Sequence, residues 1–261
     1  MWDSFKPKEN IWYCWRLNGA EAYLRKNGEV WETAFKSIPF SALHGDSGGP
    51  EEGAAPPESA LVTHSWGAGE EVSLHPYLSV QPYLLTVREK TRIAPGMETG
   101  FAADLPPLLK FELNPETVLD EAMPFEVPQT WFGLDTVTGE FGHSLGGALL
   151  PHQSKPEKSP ATLIHCEIYI KNNAKIMFEL NNFAIYPEPL NLYLYKDQLI
   201  SDTLGLEFWG ISEFTGTNEK VTVNEIEGAD YKLISPGVKT GVGETIARRS
   251  VDIIKNITRL Y

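Results

Sequence analysis

Two short stretches carry residues that could do covalent chemistry. "HGDSGGP" (44–50) has the form of the nucleophile loop of a trypsin-type protease, and "FGHSLGGALL" (141–150) that of the nucleophile turn of a lipase. A serine hydroxyl attacks a carbonyl only when a base takes its proton and paired donors hold the oxyanion, so each motif depends on its partners. The trypsin-type order is His, Asp, Ser, with two β-barrels built largely before the serine. Ser47 has a single upstream histidine, His44, and Asp46 is the sole acid between them. Two barrels do not fit in that space. The stretch reads as a glycine-rich surface turn.

The lipase elbow requires a buried strand ending at its first glycine and a helix starting just after the serine. Upstream of Ser144 stands the polar, glycine-broken "GLDTVTGEF"; downstream, Pro151 and Pro156 leave no room for a helix that crosses a sheet. These hydrolases also run Ser, acid, His, with the histidine near the end of the fold. Here only His152 and His165 follow Ser144, nearly a hundred residues follow His165, and the acid between Ser144 and His165 is Glu157. "GHSLGG" therefore also reads as a glycine turn, and no catalytic residue is assigned. A serine hydrolase of esterase or lipase type using Ser144 is the rival reading.

Other constellations are weaker. His44, His64, His75, His143, His152 and His165 show neither H-x-x-x-H nor a companion C-x-x-C, and zinc needs about four converging donors. His143, His152 and His165 could meet in space, but nothing in their spacing requires it. No phosphate loop, dinucleotide fingerprint or calcium loop is present, so neither metal nor cofactor is expected. Seven tryptophans (2, 12, 15, 31, 66, 131, 209) admit a carbohydrate or small-molecule binding module. Trp12, Trp31 and Trp209, however, lie in apolar runs that suggest core packing.

The elements that would hold these residues are short strands. "IWYCWRL" (11–17), "AEAYLRK" (20–26) and "VWETAFKSI" (30–38) are separated by the turn formers "NGA" and "NGE". "GDSGGPEEGAAPPES" (45–59) has the composition of a flexible loop. In "ATLIHCEIYI", Ile164, Cys166, Ile168 and Ile170 share one face and His165, Glu167 and Tyr169 the other. Ile176, Phe178 and Leu180 form a similar row, as do Leu190, Leu192 and Leu194. Only "GETIARRSVDIIKNITRLY", at the C-terminus, has helical spacing. The expected fold is all-β: two β-sandwich or barrel-like domains, 1–150 and 151–261, with an amphipathic helix at 244–260.

Bulk properties narrow the function further. Among 261 residues, 22 basic side chains face 35 acidic ones, a net charge of −13 that disfavours nucleic acid or an anionic membrane as the main partner. The start, "MWDSFKPKENIWYCWRL", has no signal-peptide h-region, and no 18-residue apolar run occurs, so neither export nor membrane insertion is expected. Two distant cysteines, Cys14 and Cys166, suggest a reducing cytoplasm rather than a disulfide framework. Cys166, among isoleucines, should be buried and inert.

From "RIAPGMETGFAADLPPLLKFEL" to "TWFGLDTVTGEFGHSLGGAL" the chain resembles a prokaryotic family known as domain of unknown function family 432. The likeness rests on the Trp-rich opening strand "IWYCWRL", on Phe132, Gly133 and Leu134 leading to Gly146 and Gly147, and on a strand-rich C-terminal half. The loop at 45–59 departs from the pattern. The resemblance implies no activity. It does imply that "GHSLGG" is a variant of a family turn. The sequence thus points to a non-catalytic cytosolic binding or accessory protein with an unidentified protein partner, strand edges and the terminal helix being its contact surfaces.

Overall fold

A computed structural model describes residues 1–53, 55–57, 60–65, 71–114, 117–133, 139–152, 159–212 and 216–237. The expected helix at 244–260 lies outside the described residues. Among those described, the fold is all-β, with open sheets and no helix of seven residues. In chain order the strands are β1 (Trp12–Leu17), β2 (Ala20–Asn27), β3 (Val30–Lys36), β4 (Ile38–Pro39), β5 (Ser47–Glu52), β6 (Leu61–Ser65) and β7 (Ser73–Tyr77). Next come β8 (Tyr83–Ile93), β9 (Glu98–Leu105), β10 (Leu108–Asn114), β11 (Thr117–Ala122), β12 (Phe125–Glu126), β13 (Gln129–Gly133) and β14 (Gly139–Pro151). The last are β15 (Ile164–Asn172), β16 (Phe178–Ile185), β17 (Leu192–Tyr195), β18 (Gln198–Ser201), β19 (Thr203–Ser212), β20 (Gly216–Asn224) and β21 (Lys232–Ser235).

The chain forms two compact units, and the division differs from a break at 150/151. The first unit comprises 1–78, 106–126 and 160–162; the second comprises 79–105, 127–159 and 163–261. The reason is strand pairing. β14, which ends at Pro151, pairs with β8 and β9, and β9 in turn pairs residue by residue with β15. A boundary at 150 would cut through one sheet.

In the first unit, a five-stranded sheet of order β5-β1-β2-β3-β6 accompanies a three-stranded sheet β11-β10-β7. β1 and β2 join through a two-residue Asn18-Gly19 loop with both residues at positive φ, the turn whose twist suits a hairpin. Phe111 of β10 meets Trp15 of β1 and Phe35 of β3 at 5.3 Å, so the aromatic opening strand is core. Trp15 and Trp31 are fully buried.

Residues 45–59, expected as a loop, are strand at 47–52. β5 runs antiparallel to β1, and a Cβ on Gly49 would lie 2.8 Å from the Cys14 carbonyl and from Trp15 Cα. The glycines that suggest a loop by composition permit a close backbone approach.

In the second unit, eleven strands form one sheet, with β16-β8-β14-β9-β15-β18-β17-β21 in order and β13, β19 and β20 branching from it. Ile164, Cys166, Ile168 and Ile170 are all fully buried, as alternation requires. Phe178 of β16 stacks on Phe208 of β19 at 4.4 Å. Burial pushes the Cys166 thiol up to about 12. Ile176 does not join the Phe178 and Leu180 row, because the strand begins at Phe178.

Candidate functional site

Ser144 sits inside the thirteen-residue strand β14, so there is neither a strand-to-helix elbow nor the expected glycine turn. Pairing with β8 shifts register between Leu145 and Leu149, which makes Gly146-Gly147 an irregularity within a strand. The neighbouring His143 is hydrogen-bonded through Nε2 to Ser79 Oγ at 3.1 Å, and burial lowers its pKa. Ser47 lies in β5, while His44 donates through Nδ1 to the Ala42 carbonyl at 2.7 Å. Among the described residues neither serine is paired with a histidine base.

Two constellations escape sequence reasoning because they join distant segments. In the first unit the Thr33 hydroxyl donates to Asp120 Oδ2 at 2.6 Å and lies 2.9 Å from His64 Nε2. Thr33 is fully buried and its proton is committed to the carboxylate, so no substrate meets it. In the second unit a polar row crosses β9 and β15. Ser159 Oγ donates to Asp104 Oδ1 at 2.8 Å, His165 Nδ1 lies 3.1 Å from the same oxygen, and His165 Nε2 lies 3.8 Å from Glu167. The Tyr169 hydroxyl donates to Glu167 at 3.2 Å, and the His152 ring meets Tyr169 edge-on at 5.3 Å.

The row resembles a catalytic set but is wired otherwise. Ser159 binds the acid and not the histidine, and each imidazole nitrogen of His165 faces a carboxylate. Neither nitrogen of His165 is left to serve as a base for a nucleophile, while His152 Nε2 is buried without a hydrogen-bond partner among the described residues. His165 beside Glu167, aided by Tyr169 and the charge of His152, holds that carboxyl down to about 2. Among the described residues no cluster of three or more His, Cys, Asp or Glu could hold a metal ion.

The same strand β15 ends in a different kind of surface. Asn172, its last residue, is fully buried. Its side-chain amide donates to the carbonyls of Ile93 and Ile176, both at 2.8 Å, and its Oδ1 accepts from Ala174 N at 3.0 Å. Its main chain donates to Met97 O and accepts from Gly96 N, and Asn173 N donates to Phe208 O. One side chain thus fastens the turns at 94–97 and 173–177, and the adjoining peptide reaches β19.

On this frame the apolar side chains face water. Met97 (57%), Ile176 (50%), Met177 (53%) and Trp209 (53%) are each at least half exposed. Trp209, expected in the core, is placed by a bulge: pairing between β19 and β20 shifts between Phe208 and Gly210, and Gly210 adopts φ +118°. The extra residue turns its indole outward. Four large apolar side chains exposed on turns and a bulge tied by hydrogen bonds to Asn172 and Asn173 are what a binding surface presents.

A family model described as "Protein of unknown function (DUF432)" matches residues 1–232, in agreement with the resemblance read from the sequence. No curated protein and no solved structure matches the chain.

Proposed function

We propose that this chain, which belongs to the DUF432 family of proteins of unknown function, is a non-catalytic binding protein that docks another protein on the turn end of its second unit. The observation that carries this reading is the exposure of Met97, Ile176, Met177 and Trp209 on turns held by the buried Asn172. Methionines supply adaptable apolar contact and tryptophan the large anchor typical of interface hot spots. Among the described residues neither Ser144 nor Ser47 is paired with a base, which supports the non-catalytic half. Both cysteines are free thiols, which supports a reducing, cytoplasmic setting.

The test places p-benzoylphenylalanine at position 176 and, as a control, at position 90 on the polar stretch of β8. Irradiation in cells should yield a discrete protein adduct from position 176 and none from position 90, and Trp209→Ser in the same chain should abolish it. Adducts of equal yield from both positions, or none from either, would reject the reading. Fold-dependent labelling of Ser144 by a fluorophosphonate would instead make the chain a hydrolase.

A further inference from the structure

Another exposed group in the same unit has different chemistry. Ser144 N donates to Pro128 O, which fixes the hydrogen-bonding phase of the β13–β14 ladder. Gln129/His143 and Trp131/Phe141 are then the non-hydrogen-bonded pairs, whose side chains stand closest on one face. Trp131 (41%) and Phe141 (55%) are exposed, and their rings meet at 71° with centroids 5.0 Å apart, an aromatic corner rather than a flat stack. Beside it the Gln129 amide donates to Gln81 Oε1 at 3.3 Å.

Two further observations define the site. His143, adjoining Gln129 across the ladder, is only 7% exposed, and its Nδ1 has no hydrogen-bond partner. Glu140, the neighbour of Phe141, alternates to the opposite face and accepts from the Tyr186 hydroxyl at 2.9 Å. The described side chains adjoining the two rings on this face are thus two amides and an imidazole, in a chain of net charge −13. β13 also pairs only with β14 among the described residues, and the main-chain N–H and C=O of Gln129 point away from that partner.

We infer that this corner binds a neutral saccharide. One aromatic face takes the apolar C–H face of a pyranose, and the other ring forms the wall. The paired glutamine amides and the Gln129 main chain supply the donors and acceptors that ring hydroxyls require. The described groups adjoining the rings, Gln81, Gln129 and His143, are amides and an imidazole, which suit sugar hydroxyls better than an ionic group. The inference stands apart from the docking end at Asn172, so either can fail alone.

The test is isothermal titration of the full chain with cellohexaose, maltohexaose, chitohexaose and mannohexaose. The corresponding monosaccharides and a decaproline peptide are run in parallel. At least one hexaose should bind, Trp131→Ala and Phe141→Ala should each weaken it about tenfold, and Gln129→Ala less. Circular dichroism of each variant establishes that it is folded, and Gln129→Ala, which removes no ring, keeps the test open if either aromatic variant is not. A hexaose that binds while its monosaccharide does not identifies a chain as the ligand; equal binding per ring identifies a free sugar. No saccharide bound by the native chain up to about 10 mM overturns the inference. So does binding that persists undiminished in both aromatic variants, or decaproline bound in place of any saccharide.

Discussion

β15 carries two opposite solutions to the same problem. Near its start, His165, Glu167 and Tyr169 bring polar groups to the sheet surface and pair them among themselves and with Asp104 and Ser159. At its end, Asn172 buries a polar group completely and uses it to hold turns whose apolar side chains are left in water. The polar row has the composition of a reactive site and is closed by its wiring. The turn end has the composition of core and is open by its geometry. Residue type alone assigns both incorrectly, because what decides is the partner each group finds.

The strongest way to break the contrast is Asn172→Ala. Two carbonyls and one N–H lose a buried partner, a cost of about 2–4 kcal/mol, read as a lower urea midpoint at unchanged slope. Docking at the turn end should fall in parallel. Next, Asp104→Ala removes the acceptor shared by Ser159 and His165 and should cost about 1–3 kcal/mol with docking unchanged. If it abolished docking as well, the two ends of β15 would be one device and not two.

Acid separates the regions by titration. Glu167 is held near 2 against an ordinary 4.5, so its contribution is complete above about pH 4.5 and is lost as pH falls toward 2. His143 shifts the other way in charge: burial lowers its pKa below 6.5, so the folded state resists the proton that the unfolded state accepts. Stability should therefore begin to decline below about pH 6.5 in the native chain. His143→Gln should remove that first decline, and Glu167→Gln the later one, in thermal melts taken from pH 7 to 3. The smallest effect belongs to the docking surface itself. Ile176→Ser with Met177→Ser should change stability by about 0.5 kcal/mol or less while eliminating the crosslink, since exposed side chains contribute little to folding.

Several features of this arrangement are legible in the sequence. The hairpin at Asn18-Gly19 follows from turn chemistry, and the buried face of Ile164, Cys166, Ile168 and Ile170 follows from alternation. What is hidden depends on the pairing of distant strands. Gly49 reads as loop because sequence does not show the β1 backbone pressed against it, and Gly146-Gly147 reads as a turn because β8 is invisible until paired. Trp209 reads as core because a bulge obeys no alternation. Its signal is the glycine that follows it, Gly210, in an otherwise regular strand.

The interleaving of the two units has a consequence for synthesis on the ribosome. Residues 12–65 supply all five strands of the first large sheet, so that sheet can close early. The smaller sheet of the same unit waits for β10 and β11, after β8 and β9 of the other unit have already emerged. Those two strands then wait for β14, β15 and β16, up to residue 185, before their own ladders are complete. For that interval Tyr83, Leu85 and Phe101, buried in the finished protein, have no sheet to enter. A chain stalled between residues 105 and 163 is thus the form most exposed to aggregation and to chaperones, and no single cut releases either half as a finished fold.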